Sequence, residues 1–392
     1  MDIAEREAAS LIQTYRRLPI EFVRGEGSWL FDSNDRPYLD CLSGIAVTSV
    51  GHSNPHVAAA VGEQMKKLVH VSNLFYTAPQ IELAEQLTQL SGLDRVFFSN
   101  DGATANEAAI KLARKWGQTN KGADCHQIVS LEGSFHGRTL ATLAATGQPA
   151  KQATFYPLPT GFVQVPPNDL EAMATAVNRS TAGVMIETIQ GEGGVVPLSE
   201  SYLTDLRALC DSREVLLIVD DVQAGVGRTG TWFSWQQLGF VPDIATTAKA
   251  LANGLPIGVC LAADEAASAF QPGDHATTFG GGPVVCAAAL ATLSEIETRG
   301  LLGNVSVRQD QFRTMLGRLE GVSEVRGRGL LLAAVLRDPI AAGLVQEALQ
   351  EGLVVNNVLS DAVRFTPPLT MSEDEVNQAV QMFGTALLRT SS

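Results

Sequence analysis

The stretch DIATTAKALANGLPIGVCLAAD, residues 243–264, carries one side chain charged at neutral pH between its terminal aspartates, Lys249, set among Ala, Thr, Leu, Gly, Ile and Val. Apolar surroundings penalise an ammonium unless it is paired or gives up its proton. A lysine so placed is either a buried structural cation or an amine held ready as a nucleophile. In VLLIVDDVQAG, Asp220 closes an apolar run, where a carboxylate needs a cationic or hydrogen-bonding partner. In SNDGATANEAA, a run passes through Gly102 straight into a helical pattern, and the free N–H groups of such an opening turn hold anions, phosphate above all. The same letters also suit an ordinary turn capped by Asp101 or Thr104. Taken together, a lysine in an apolar run, a strand-end carboxylate and a phosphate cradle meet the needs of pyridoxal phosphate: an amine for its aldehyde and an acid that keeps its ring nitrogen protonated.

These groups need a scaffold that brings them to one place. The runs RVFFSN (95–100), QIVSL (127–131), GVMIE (183–187), VLLIVDD (215–221), DIATTA (243–248) and PIGVCLA (256–262) read as strands. Between them lie helical patterns such as ATANEAAIKLARKWG, with Ala105, Ala108, Leu112 and Trp116 on one stripe, and SESYLTDLRALCDSR. The alternation predicts an α/β fold, a mainly parallel central sheet wrapped by helices. Ligands bind such sheets beyond the carboxyl ends of the strands, and here the runs end in Asn100, Asp101, Glu187, Asp220, Asp221 and Lys249. Towards the C-terminus long helices broken by RGRGLLLAAVL and VRFTPPLT predict a smaller α+β domain, with GSWLFDSNDRPYLDCLSG as a hairpin beside it. The expected division is 1–55 as an N-terminal segment joining the small domain, 56–288 as the large domain and 289–392 as the small one.

Composition narrows the partners. With 392 residues, 45% hydrophobic, the chain can bury a large core, and its net charge of −14 with no Lys/Arg cluster argues against nucleic acid or an anionic membrane surface. A small-molecule ligand is the expectation. The start, MDIAEREAAS, has no apolar h-region, and no later run is long and apolar enough to span a bilayer, so a cytoplasmic location is expected. Five scattered cysteines without a C-x-x-C pair read as reduced thiols, and no metal site is expected. The sequence GVGRTG (225–230) fits G-x-G-x-x-G formally, the mark of an NAD-binding oxidoreductase. It follows two aspartates that would repel a pyrophosphate and leads into TWFSWQQLG without a clear helix start, which argues against that reading.

The motifs SNDGATANEAAIKLARK, SFHGRTLATL, ETIQGEGGV, VDDVQAGVGRTG, TTAKALANGLPIG and TTFGGGPVVCAAALA stand in the order found in class III aminotransferases. From about Tyr15 to VRFTPPLT the chain resembles that family, and most of all its acetylornithine aminotransferase group. The resemblance implies a fold-type I enzyme dependent on pyridoxal phosphate, with Lys249 as the Schiff-base lysine that also carries a proton between substrate and cofactor carbons. It implies that Asp220 faces the ring nitrogen, Gln223 the ring hydroxyl, and Val222 and Phe135 the ring faces, with Asp221 among the cofactor residues. Gly102 and Ala103 would offer backbone amides to the phosphate, and Thr278 would reach it from the partner subunit of a homodimer with shared sites. Arg138 would grip the substrate α-carboxylate, with Thr277 near the substrate. Glu192 would cover Arg364 in the amine half-reaction and swing away for the diacid.

The implied reaction moves the terminal amino group of N2-acetyl-L-ornithine to 2-oxoglutarate, giving N-acetyl-L-glutamate 5-semialdehyde and L-glutamate in arginine biosynthesis. Ornithine, 4-aminobutyrate, N-succinyl-diaminopimelate precursors and a semialdehyde mutase reaction are the alternatives within the family. The chain departs from the commonest family wording at Asp101 for Ser, Asp221 for Glu, Ala224 for Thr and Gly282 for Asn. A carboxylate aimed at a phosphate repels it, so Asp101 is expected to turn away and cap its helix.

Overall fold

Seven strands form the central sheet of the computed structural model, which describes residues 3–390. Across the sheet they run Arg95–Ser99, Gly258–Ala262, Ile244–Thr247, Leu216–Asp220, Thr181–Ile186, Gln127–Leu131 and Phe162–Val165. All are parallel except Gly258–Ala262, which is antiparallel to both neighbours. The four strands from Gly258–Ala262 to Thr181–Ile186 are buried throughout, which is why they read as unbroken apolar runs: a sheet covered on both faces has no solvent side to make polar. Side-chain parity then divides the core. Leu217, Val219 and Ala245 join the cluster on one face, while Leu216, Ile218 and Ile244 pack on the other against Ala108, Leu112 and Trp116 of the helix Gly102–Lys121.

All six expected strands are present, and the helices Gly102–Lys121 and Glu200–Arg213 lie where their periodicity places them. The seventh strand, Phe162–Val165, is absent from the sequence reading. It is a four-residue edge strand running into two prolines, too short to show a period.

The C-terminal part contains an antiparallel sheet in the order Val322–Arg328, Leu331–Leu336, Ala362–Phe365, Asn356–Leu359, with the helices Leu301–Leu316, Ala341–Gln350 and Glu373–Thr390. RGRGLLLAAVL, read as a break between helices, is the end of the first strand, the turn and the second strand of a hairpin in this sheet. The turn uses Gly329 at φ +60°, and a Cβ there would lie 2.3 Å from the Arg228 carbonyl oxygen. Near the other end of the chain, Phe22–Glu26, Trp29–Asp32 and Pro37–Asp40 form an antiparallel meander, and Leu353–Val354 adds to it parallel to Pro37–Asp40. All five cysteines are buried and unpaired. No described helix is long and apolar enough to cross a membrane.

The glycine-rich GVGRTG segment has a structural job. It makes tight turns at Gly227 and Gly230, at φ +87° and +92°, and is followed by a single 3-10 turn, Ser234–Gln237. Arg228 is fully buried and donates to the carbonyls of Leu330 and Pro367 and, at 3.0 Å, to Ser49 Oγ. Burial without a neighbouring carboxylate pushes its pKa down to about 9.

Candidate active site

At the carboxyl rim of the sheet lies a cavity of about 590 Å³, lined among others by Gly102, Ala103, Phe135, Arg138, Asp220, Val222, Gln223 and Lys249. Each comes from a segment leaving a strand, as ligand sites in open α/β sheets do. The helix Gly102–Lys121 starts directly behind Arg95–Ser99 and presents its first turn to the cavity. Asp101 is its N-cap: Oδ1 accepts from the Thr104 N–H at 2.8 Å, and Thr104 Oγ1 accepts in return from the Asp101 N–H at 3.1 Å. The carboxylate is therefore used as the sequence reading expects. The Gly102 and Ala103 N–H groups have no partner among the described residues, as first-turn donors do unless an anion meets them. A Cβ on Gly102 would stand 2.7 Å from Val222 Cγ1, so only glycine lets the turn and Val222 approach this closely. Replacing Asp101 by Ser keeps a good cap, so D101S is expected to change melting temperature and pyridoxal phosphate affinity little, within about twofold for the latter. Marked tightening in a fluorescence titration would place the carboxylate against the phosphate instead.

Asp220 is nearly buried and held on three sides. Its Oδ2 accepts from Asn106 Nδ2 at 2.7 Å and His136 Nδ1 at 2.8 Å, and its Oδ1 from the Val222 N–H at 3.1 Å. Thr246 Oγ1 donates to Asn106 Oδ1 at 2.6 Å, fixing the orientation of the amide. Because a carboxylate only accepts, Nδ1 of His136 carries the proton, while its buried Nε2 has no hydrogen-bond partner among the described residues. The network leaves Oδ1, with its single main-chain donor, as the oxygen with spare acceptor capacity.

Lys249 opens a one-turn 3-10 helix after the strand Ile244–Thr247, at φ +39°, a left-handed conformation that costs about 1–3 kcal/mol for a non-glycine residue. Its ammonium makes no hydrogen bond or ion pair with a described residue. Burial, reinforced by the positive charge of Arg364, brings its pKa down to about 8, against the opposing pull of Glu192, Asp220 and Glu187. Glu187 also lines the cavity, accepting from the Phe135 N–H at 2.9 Å; burial raises its pKa to about 7, opposed by His136 and supported by Asp220.

Further out, Arg364 is fully buried and donates from Nη1 to Glu192 Oε1 at 2.6 Å and to Gln223 Oε1 at 3.1 Å, with Nε on Asn356 Oδ1 at 3.2 Å. Burial works against the Glu192 carboxylate, but the charge and hydrogen bond of Arg364 outweigh it, and its pKa falls below the ordinary value. Arg138 stacks its guanidinium 5.6 Å from the centre of the Phe135 ring. Thr277 touches the site indirectly, its Oγ1 accepting from the cavity-lining Asn100 Nδ2 at 3.3 Å.

Five of the expected residues do not line this cavity: Arg364, Glu192 and Thr277 connect to it through hydrogen-bonded neighbours, while Asp221 and Thr278 stand apart from it. Asp221 has the parity of Val219, not of Asp220, so it points to the opposite face; there its Oδ2 accepts from the Ser234 N–H at 3.0 Å and burial raises its pKa to about 7. Thr278 is exposed on the 277–282 segment beside His70, Asn73 and Gln80, away from its own chain's cavity. Asn106, His136 and Thr246 were not singled out from sequence. Asn106 did leave a signal, as a lone polar residue beside the apolar stripe of its helix.

The free N–H pair, the under-used Asp220 oxygen and the unpaired lysine amine surround one cavity, and these residues fit a phosphorylated pyridine aldehyde. The family model for class III aminotransferases matches residues 12–387. An acetylornithine aminotransferase of Gloeobacter violaceus is 49% identical over 97% of this chain and 96% of its own length, and one of Methanothermobacter thermautotrophicus is 44% identical over 98% and 97%. Among solved structures, the N-acetylornithine aminotransferase of Stenotrophomonas maltophilia superposes with a TM-score of 0.86 at 36% identity, covering 99% of both chains. The ornithine aminotransferase of Toxoplasma gondii gives 0.95 at 30% identity, over 99% of this chain and 94% of that one. The fold is therefore fold-type I and the cofactor pyridoxal phosphate. With its lysine, acid and open helix N-terminus set on one rim of such a sheet, this chain belongs to the class III aminotransferases.

Proposed function

We propose that the chain transfers the terminal amino group of N2-acetyl-L-ornithine to 2-oxoglutarate, yielding N-acetyl-L-glutamate 5-semialdehyde and L-glutamate, a step of arginine biosynthesis in the cytoplasm. The observation that carries a two-substrate reading is the pair of buried Arg364 and partly exposed Glu192 at 2.6 Å, close enough to Lys249 for its charges to act on the amine. An arginine left alone in a closed site is an uncompensated charge, and a mobile carboxylate resolves this when the bound amine brings no acid of its own to that end. The names borne by relatives at 43–49% identity support acetylornithine as the donor. The fit to the Toxoplasma gondii enzyme favours ornithine as the second reading.

Pyridoxal phosphate, when bound, supplies an aldehyde that takes up the amine covalently and a protonated ring that withdraws electrons from the reacting carbon. Gly102 and Ala103 would hold its phosphate, joined by the partner's Thr278; Asp220 would hold the ring nitrogen, Gln223 the ring hydroxyl, and Val222 and Phe135 the two faces. Lys249 Nζ would be the base that takes the proton from the substrate carbon bearing the nitrogen and the acid that gives it back. Arg138 holds the donor's α-carboxylate near Thr277. Glu192 neutralises Arg364 until a diacid offers its own carboxylate to the guanidinium.

A homodimer with shared sites accompanies this reading. It is supported by the exposed Thr278 and by the exposed apolar residues Leu74, Phe75, Tyr76 and Phe279 nearby in the chain or fold. The division into 1–55, 56–288 and 289–392 fits the pairing of Leu353–Val354 with Pro37–Asp40; residues 1–2 and 391–392 of these spans lie outside the described residues.

Assay of the purified holoenzyme with N-acetylornithine, ornithine, 4-aminobutyrate and N-succinyl-diaminopimelate against 2-oxoglutarate tests the substrate. The highest kcat/KM falls to N-acetylornithine; another donor ahead by more than about tenfold would overturn the reading. In single-turnover kinetics, Glu192→Ala slows the amine half-reaction by about tenfold or more and changes the 2-oxoglutarate half by less than about twofold. Equal damage to both halves removes the switching role from Glu192.

A further inference from the structure

Two cations lie near one aromatic ring that lines the site. Arg138 Cζ and Lys151 Nζ each lie 5.6 Å from the centre of the Phe135 ring. Neither makes an ion pair with a described carboxylate, in a chain whose net charge is −14. The acid whose charge acts on Lys151 is Glu192, which is already bound to Arg364. Lys151 is also held in place. Its Nζ donates to Gln148 Oε1, and that amide is oriented by donating Nε2 to the Gly133 and Ser134 carbonyls at 3.1 and 3.2 Å. The adjacent Gln152 is buried and ties the short helix Pro149–Gln152 to the Leu143 and Thr146 carbonyls at 3.0 and 2.7 Å. A half-buried ammonium fixed by neutral groups, with another cation near the same ring, lacks a paired anion among the described residues. Burial, and then the charge of Arg138 working against the pull of Glu192, keeps its pKa below the ordinary lysine value.

We propose that Lys151 is a second carboxylate-binding residue, and that with Arg138 it forms a two-cation receptor over the Phe135 ring for the α-carboxylate of the amine donor. The inference rests on the reading of N2-acetyl-L-ornithine as donor and names the part of that molecule the site selects. Arg138 supplies a planar fork and Lys151 a point charge, so that the acylated amino-acid head is held while its far amine reaches Lys249. A donor without the carboxylate gains nothing from Lys151.

The test uses holoenzyme of the wild type, Lys151→Met and Lys151→Arg, with N2-acetyl-L-ornithine and with N-acetyl-1,4-diaminobutane, the same amine lacking the α-carboxylate. The Met variant raises KM for N2-acetyl-L-ornithine by about ten- to a hundredfold with kcat little changed, leaves kcat/KM for N-acetyl-1,4-diaminobutane within about twofold, and the Arg variant recovers most of the loss. Cofactor absorbance and melting temperature like those of the wild type establish that the variants are folded and loaded. Equal losses on the two amines, or no change on either, overturn the role of Lys151 while leaving the proposed reaction standing. A wild type that does not turn over N2-acetyl-L-ornithine overturns the substrate reading itself, and this inference with it.

Discussion

Lys249→Ala is expected to lower kcat by on the order of 10⁴-fold or more, because it removes both the amine that bonds the cofactor and the group that moves the substrate proton. The size of the effect follows from the setting of the side chain. In water about one lysine in several thousand is neutral at pH 7; with the pKa brought down to about 8, about one in ten is. Burial is the main cause, and Arg364 adds to it. The strained backbone at residue 249 points the same way: a residue held at φ +39° is kept there by its surroundings, which fixes the direction in which the amine projects. Lys249→Arg separates charge from nucleophilicity. A guanidinium keeps the positive charge but does not release its proton, so this variant is expected to be as inactive as the alanine one. Borohydride should fix the cofactor on residue 249 of the wild type and on neither variant. The rate of covalent cofactor capture should rise with pH up to about 8 and level off above it, since the reactive form is the deprotonated amine. Retention of more than about a hundredth of wild-type kcat in Lys249→Ala would assign the proton transfer to another group.

Lys249 and Asp220 are legible in the sequence because each breaks an apolar run, and a charge in such a run needs a reason that is visible without coordinates. The central strands are legible for a related reason. A sheet buried on both faces writes itself as short, unbroken apolar stretches separated by helical periods. What the sequence hides is whatever depends on contact between distant segments. His136 and Asn106 meet Asp220 across 84 and 114 residues, and no local pattern announces either pairing. Asp221 shows how far a motif carries: next to Asp220 in VDDVQAG, it is sent to the opposite face by strand parity alone. The hairpin at Gly329 is legible only as a break between helices, because its turn depends on a close approach to Arg228 that no local pattern announces. Lys151 stands in an unremarkable one-turn helix, Pro149–Gln152, and only the shared Phe135 ring relates it to Arg138.

The second large effect is expected at Asp220. In Asp220→Asn the side chain is nearly isosteric, but Oδ2 now accepts from both Asn106 and His136 in the wild type, and an amide has one oxygen and one donor to set in their place. If the amide oxygen faces Asn106 and His136, its NH₂ takes the position of Oδ1, where it opposes the Val222 N–H and offers the cofactor ring a donor instead of an acceptor. If it faces the other way, two buried donors meet a third, at a cost of about 1–3 kcal/mol for each group left unsatisfied. Either orientation removes the negative charge that keeps the ring nitrogen protonated, so kcat is expected to fall by about 10²–10³-fold, with a lower melting temperature and weaker cofactor binding. The supporting residues give the discriminating measurement. Asn106→Ala leaves the Asp220 charge in place but removes one of its donors and frees Thr246 Oγ1 from its acceptor. It should therefore cost stability comparable to Asp220→Asn but far less kcat. Were the two variants to lose kcat equally, the contribution of Asp220 would lie in rigidity of the network and not in the charge it presents to the ring.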